Sequence, residues 1–180
     1  AIRSFIGTTL HDLIKTKVNE LNIQLGQIES KSDNYNQTSA AKRELAMNLT
    51  ELLTTVDSNT YSYKTTNFTS LLFQFAMKLQ VLSATERKNE IINFYNHWKN
   101  EPLVINKWLQ SISSSDHPET FETVKWVCEN GYFNQENPNQ VYSLLRNFGN
   151  NLFYFHQTSE HYDFFLKKLG QTDEKAFGLD

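Results

Sequence analysis

Apolar residues Phe5, Ile6, Leu10, Leu13, Ile14, Val18, Leu21 and Leu25 recur at steps of three and four, which predicts a first helix with one greasy stripe. The stretch from Ser30 to Thr38 is polar and rich in Asn and Ser, so it reads as a loop. Leu45, Leu49, Leu52, Leu53 and Val56 form a second helical stripe, and Asp57-Ser58-Asn59 ends it with side chains that compete for backbone hydrogen bonds. A third stripe carries Phe68, Leu71, Leu72, Phe75, Ala76, Leu79 and Leu82. Ser83-Ala84-Thr85-Glu86 then matches the S-x-x-E capping box and marks a new helix start, with Ile91, Ile92, Phe94, Tyr95 and Trp98 along the helix it opens.

The prolines set the remaining boundaries. Pro102 is placed as the first residue of a helix through Ile112, and Pro118 opens a helix bearing Phe121, Val124, Val127 and Cys128 that stops near Asn130-Gly131. Asn137-Pro138 supplies a capping side chain and a preset first turn for a helix with Val141, Leu144, Leu145 and Phe148, ended by Gly149. A final amphipathic helix is expected from Ser159 to Leu169, before Gly170. No segment sustains a period of two, so the fold class is all-α. Helices joined by short loops favour antiparallel hairpins stacked as a right-handed solenoid, with a compact bundle as the alternative, since no strict repeat has a fixed period.

At 180 residues the chain is one domain long, enough to bury roughly 70% of its unfolded surface. Lys and Arg number 17 against 20 Asp and Glu, a formal charge of -3, so no positive field recommends nucleic acid or anionic lipid as a partner. Mean hydropathy is -0.54 and no apolar run nears the roughly 20 residues of a membrane span. Cys128, the single cysteine, excludes an intrachain disulfide, favours a reducing, cytoplasmic setting and reads as a small hydrophobe on a helix face. Ala1-Ile2-Arg3-Ser4-Phe5 is unlike a signal peptide, and without an initiating Met the chain reads as an excerpt.

Candidate chemistry is sparse. A helix-borne H-E-x-x-H, which would set two imidazoles and a general base around zinc, does not occur. His156-Gln157-Thr158-Ser159-Glu160-His161 comes nearest but misses the H-x-x-E-H spacing by one residue, so capping and packing roles are expected there. His11, His97 and His117 have no partner at ligand spacing and read as surface or helix-end residues. The acid pairs Glu119 with Glu122 and Asp173 with Glu174 read as solvated helix faces and ends. The sequons at Asn36, Asn48 and Asn67 matter only in a secreted protein.

The order of features from Trp98 onward is more specific. Trp98-Lys99, Leu103-Val104, Lys107-Trp108, Ser113, Pro118, Glu122-Thr123-Val124-Lys125 and the block from Asn137 to Leu144 are followed by Phe155-His156, Tyr162 and Phe165-Leu166. This series resembles the C-terminal helical domain of aminopeptidase N, the zinc alanyl aminopeptidase family of bacterial and apicomplexan type. Ala41 to Leu45 and Thr66 to Thr69 are similar to weaker landmarks of the same family.

The resemblance implies an α-α superhelix of the HEAT/armadillo kind, residues 1–180 forming a single helical domain within a larger multidomain enzyme. It implies zinc in the full-length protein and none in this segment, because the H-E-x-x-H helix, its downstream Glu and the Gly-x-Met-Glu-Asn stretch belong to preceding domains. The family's Asn-Pro-Gln and Ser-Arg-Leu landmarks are expected beyond Asp180. The implied partners are the chain's own catalytic domain and peptides passing through the channel that this domain shapes. Bacterial relatives have an arginine where Tyr142 stands, a side chain that can meet the distal end of a peptide. Tyr142 is thus a candidate substrate contact, or else a half-buried helix residue, and it implies a chamber less basic at that point. The competing reading is a free-standing helical-repeat module that recruits another protein on its concave face.

Overall fold

A computed structural model describes Phe5 and residues 9–29, 37–54 and 68–176. These fold as helices joined by turns, with no strand among the described residues: α1 (His11–Glu29), α2 (Gln37–Thr54), α3 (Phe68–Val81), α4 (Ala84–Trp98), α5 (Pro102–Ser113), α6 (Thr120–Glu129), α7 (Pro138–Val141), a π turn (Tyr142–Arg146), α8 (Asn147–Gly149) and α9 (Ser159–Ala176). They divide into two compact units, Ala1–Val81 and Leu82–Asp180. The expected loop at residues 30–36, the stop at Asp57-Ser58-Asn59 and the sequons at Asn36 and Asn67 lie outside the described residues.

In the first unit, α1 and α2 form an antiparallel hairpin whose register follows from the stripes. Ile14 and Val18, early in α1, pack with Leu53 at the end of α2, while Leu21 and Leu25, later in α1, pack with Ala46 nearer its start. Leu49 bridges both clusters. The stripe is narrower than the run of apolar residues suggests, for Leu13 is 68% exposed and Leu10 and Leu45 are also open. Gln37 and Thr38 are already helical, so α2 starts two residues before the expected loop ends. In α3, Phe75, Met77 and Leu79 are buried together with Ser70.

The second unit opens at the capping box. The Glu86 amide donates to Ser83 Oγ at 3.5 Å and the Ser83 amide donates to Glu86 Oε2 at 3.2 Å, so two donors that the first turn of α4 leaves orphaned are satisfied. The same carboxylate accepts the Ser83 hydroxyl at 2.6 Å, and these bonds hold the Glu86 pKa below its usual value. Pro102 takes the first position of α5 as expected, and Gly131, at φ 79, lies just past the Asn130 cap of α6.

Two expectations fail here for definable reasons. Pro118 does not open α6, which starts at Thr120. The Thr120 amide donates to His117 O at 3.0 Å, so Pro118 sits second in a reverse turn, another position its fixed φ suits. The last helix starts at Ser159 but runs through Gly170 to Ala176, because a lone glycine inside a helix costs only about 1 kcal/mol relative to Ala and does not terminate it.

Packing in the second unit follows the alternation of stacked hairpins. Tyr95 of α4 meets Trp108 of α5 with ring centroids 5.5 Å apart, joining sequential helices. Alternate helices are also neighbours. Lys88 of α4 lies 5.6 Å from the Trp126 ring of α6, and Phe121 of α6 meets Phe164 of α9 edge-on at 5.5 Å. Trp108, Leu109, Ile112, Val124, Val127, Leu144, Leu145 and Phe148 are fully enclosed, and each such side chain stabilises the fold by roughly 1.5–3 kcal/mol relative to exposure.

Candidate functional site

The only residue that the sequence singles out for substrate contact, Tyr142, lies at the start of the π turn. Asn137 sets the approach to it: its side-chain oxygen accepts the Asn139 amide at 3.0 Å, and Pro138 occupies the first helical position. The helix that begins as α then widens for five residues, Tyr142–Arg146, before closing again as α8. Periodicity gave no warning of this, since Val141, Leu144, Leu145 and Phe148 are buried just as an α-helix would bury them.

The turn is tied to α5 by side chains. Ser113 is fully buried, and its hydroxyl is shared between Gln110 O and Ser143 O, each at 3.1 Å. Asn147 Nδ2 donates to Ser113 Oγ at 2.9 Å and to Gln110 O at 3.1 Å. Asn151 Nδ2 then donates to Ser113 O and Ser115 O, both at 3.2 Å. The loosened backbone of the π turn therefore gains partners from a neighbouring helix, as buried polar groups require. Asn147 and Asn151 escaped the sequence reading because their partners lie more than thirty residues away.

Tyr142 is 58% exposed, more open than a packing role needs. The Arg146 guanidinium lies 5.3 Å from the centre of its ring, a cation–π arrangement across one turn. The charge absent at position 142 is present on the same face at position 146.

The histidine cluster near the end does not converge. His161 is buried, with Nδ1 donating to Tyr154 O at 2.7 Å and Phe155 O at 3.2 Å, and its ring is tilted against Phe121 with centroids 4.0 Å apart. His156 Nδ1 instead meets the Tyr162 hydroxyl at 2.5 Å, and Glu160 pairs with Lys125 Nζ at 3.1 Å. Among the described residues no group of three His, Cys, Asp or Glu could hold a metal ion. Cys128 is half-buried on α6, and burial pushes its thiol up to about 12. Asn48 is exposed on α2 while Thr50, the third residue of its sequon, is buried.

A second polar cluster joins α4 to the turn before α6. Arg87 is only 3% exposed; its Nη2 donates to Leu82 O at 3.2 Å and to His117 Nε2 at 2.9 Å, and forms an ion pair with Glu119 at 3.3 Å. Burial lowers the Arg87 pKa and Glu119 opposes that shift. His117 is accordingly no simple surface residue. Burial first, and then the Arg87 charge, lower its pKa, while Glu119 raises it. Arg87, Glu119 and Thr123 lie along an open groove of about 320 Å³ that also takes in Lys88, Lys125 and Trp126.

Stacked hairpins whose alternate helices are neighbours define an armadillo-type helical-repeat protein. The family model described as a domain of unknown function (DUF3458_C) with ARM repeats matches residues 1–176, and the chain belongs to that family. Among solved structures, aminopeptidase A of Legionella pneumophila in complex with aspartic acid is similar over 96% of this chain and 21% of its own, with TM-score 0.74 and 26% identity. Aminopeptidase N of Caulobacter vibrioides is 29% identical over 69 residues, 38% of this chain and 8% of that protein. The chain thus spans a small part of the relatives it matches, and it corresponds to a C-terminal helical-repeat domain of an aminopeptidase.

Several of the residues that carry the resemblance hold the fold. Trp108 and Phe155 are core, Ser113 anchors the π turn, Asn137 caps α7 and Pro118 shapes a turn. Leu103, Tyr142, Tyr162 and Leu166 stay exposed.

Proposed function

We propose that this chain is the accessory, substrate-gating C-terminal domain of a zinc-dependent aminopeptidase that removes N-terminal residues from peptides. The match to the ARM-repeat family over 1–176, across both compact units, supports reading residues 1–180 as one helical domain of a larger enzyme. Its partners in this reading are its own catalytic domain and the peptides that pass toward the metal, with Tyr142 lining their route. Zinc would reside in the preceding catalytic part and activate water there. The parent is read as cytoplasmic, in keeping with a single half-buried thiol and with the lack of any helix long and apolar enough to cross a membrane among the described residues.

The full reading frame tests this directly: an H-E-x-x-H helix is expected upstream, and an extended frame without one overturns the reading. The isolated 180 residues are expected to bind no stoichiometric zinc and to leave an aminoacyl reporter uncut, yet to associate with the separately expressed catalytic part. Failure to associate, together with capture of a foreign protein, would favour the free-standing module.

A further inference from the structure

We propose that the groove between α4 and α6 is a binding site for a free α-amino acid in its zwitterionic form. Its charges are sorted by wall. From α4 it is lined by Ala84, Arg87 and Lys88, two cations beside a small residue. Across from them Glu119 stands at the cap of α6, and Glu122, Trp126 and Glu129 follow at steps of four and three, one stripe of the helix. Lys125 on the same wall is already paired with Glu160 at 3.1 Å. Lys88, Glu122 and Glu129 have no ion-pair partner among the described residues.

The guanidinium of Arg87 is the second observation. Its side chain is 4% exposed, with Nη2 donating to Leu82 O and His117 Nε2 and Nη1 reaching Thr123 Oγ1 only at 3.5 Å. Nε is buried and has no hydrogen-bond partner among the described residues, a costly state for a charged donor. Glu119 meets the guanidinium through Nη2, at 3.3 Å, although the edge formed by Nε and Nη2 fits both oxygens of a carboxylate. The fork is thus half used.

Glu119 is half exposed, so it can swing outward and admit a ligand carboxylate to that edge. The displaced and incoming carboxylates then lie side by side and repel, unless the ligand brings a cation of its own. An α-ammonium supplies one beside the α-carboxylate, facing Glu119 and Glu122. A simple anion gains Arg87 and Lys88 but meets three carboxylates on the other wall, and a simple cation meets the reverse. The Trp126 ring, with Lys88 Nζ 5.6 Å from its centre, offers a face for the ligand's side chain. The groove, about 320 Å³, holds a molecule of this size.

This site does not rest on the aminopeptidase reading, although a free amino acid is what such an enzyme releases. The 180-residue chain tests it without an H-E-x-x-H centre that would itself hold amino acids. Nuclear magnetic resonance would follow the Trp126 indole N–H, assigned by its loss in Trp126→Phe, through titrations with L-leucine, acetyl-L-leucine and L-leucinamide. Leucine is expected to shift that signal saturably at millimolar concentration. Acetyl-leucine and leucinamide, each lacking one charge, should bind about tenfold more weakly. Lys88→Gln and Glu122→Gln, both at exposed positions and so without effect on folding, should each weaken leucine about three- to tenfold. Glu119→Ala removes the competing carboxylate and should tighten acetyl-leucine about threefold.

No response to leucine up to about 50 mM overturns the proposal. Binding of acetyl-leucine or leucinamide as tight as that of leucine does so too, because one charge would then suffice. Leucine affinity unchanged in both Lys88→Gln and Glu122→Gln puts the ligand outside this groove, and acetyl-leucine affinity unchanged in Glu119→Ala removes the Arg87 edge from the site.

Discussion

Ser113 shows how much one hydroxyl can organise. It links two carbonyls and one carboxamide between α5 and the π turn in a fully buried place. Ser113→Ala should destabilise the fold by about 1–3 kcal/mol, because the Ser143 carbonyl and the Asn147 amide each lose a part-buried hydrogen bond; chemical denaturation measures this, and a cost near zero would mean the turn is held by packing alone. His117 gives a pH-dependent counterpart. Its folded pKa lies below the ordinary 6.5 because burial and Arg87 both disfavour the charged ring. The unfolded chain therefore binds more protons in that window, and stability falls as pH drops from the ordinary histidine value toward the lowered one. A melting-temperature series in acid should show a shallower slope for His117→Gln than for wild type. At Cys128 the thiol pushed to about 12 should resist alkylation at neutral pH in the native state and react once denatured.

At the scale of elements, the helix starts are specified by local chemistry and the ends are specified less well. The Ser83 box and the Asn137–Pro138 cap both use side chains within three residues of their targets, so their signals are contiguous in sequence. Asn137→Ala should cost about 1 kcal/mol, read as a lowered denaturation midpoint with an unchanged slope. Pro118 illustrates the ambiguity that remains: its ring suits a first helical position and the second place of a turn equally, and the His117–Thr120 hydrogen bond decides between them. Gly170 has the sequence mark of a stop, yet α9 continues beyond it because one glycine's penalty is small against a helix already propagating.

At the scale of the molecule, the helices of the second unit form hairpins in which alternate helices also touch, the pattern of a repeat protein. Within the second unit the core is continuous through rings: Phe121 stacks on Phe148, and Phe148 meets Phe155 edge-on at 5.4 Å. Phe148→Ala should remove about 3–5 kcal/mol by opening a cavity at their junction, which equilibrium unfolding would register. If that loss were below about 1 kcal/mol, the rings could not be the centre of this core.

The all-α class, most helix starts and the relation to aminopeptidases were legible in the chain, since stripes, caps and prolines act over a few residues and leave contiguous marks. Tertiary structure decided what depends on distant partners: that Arg87 and His117 meet across thirty residues, that His156 and His161 turn to different neighbours, and that Ser113 braces a π turn. Tyr142 was legible as a candidate through its place in the motif, but its Arg146 partner was not. A cation–π contact across one turn has no fixed sequence signature, and only the folded backbone shows which side chains share the open face.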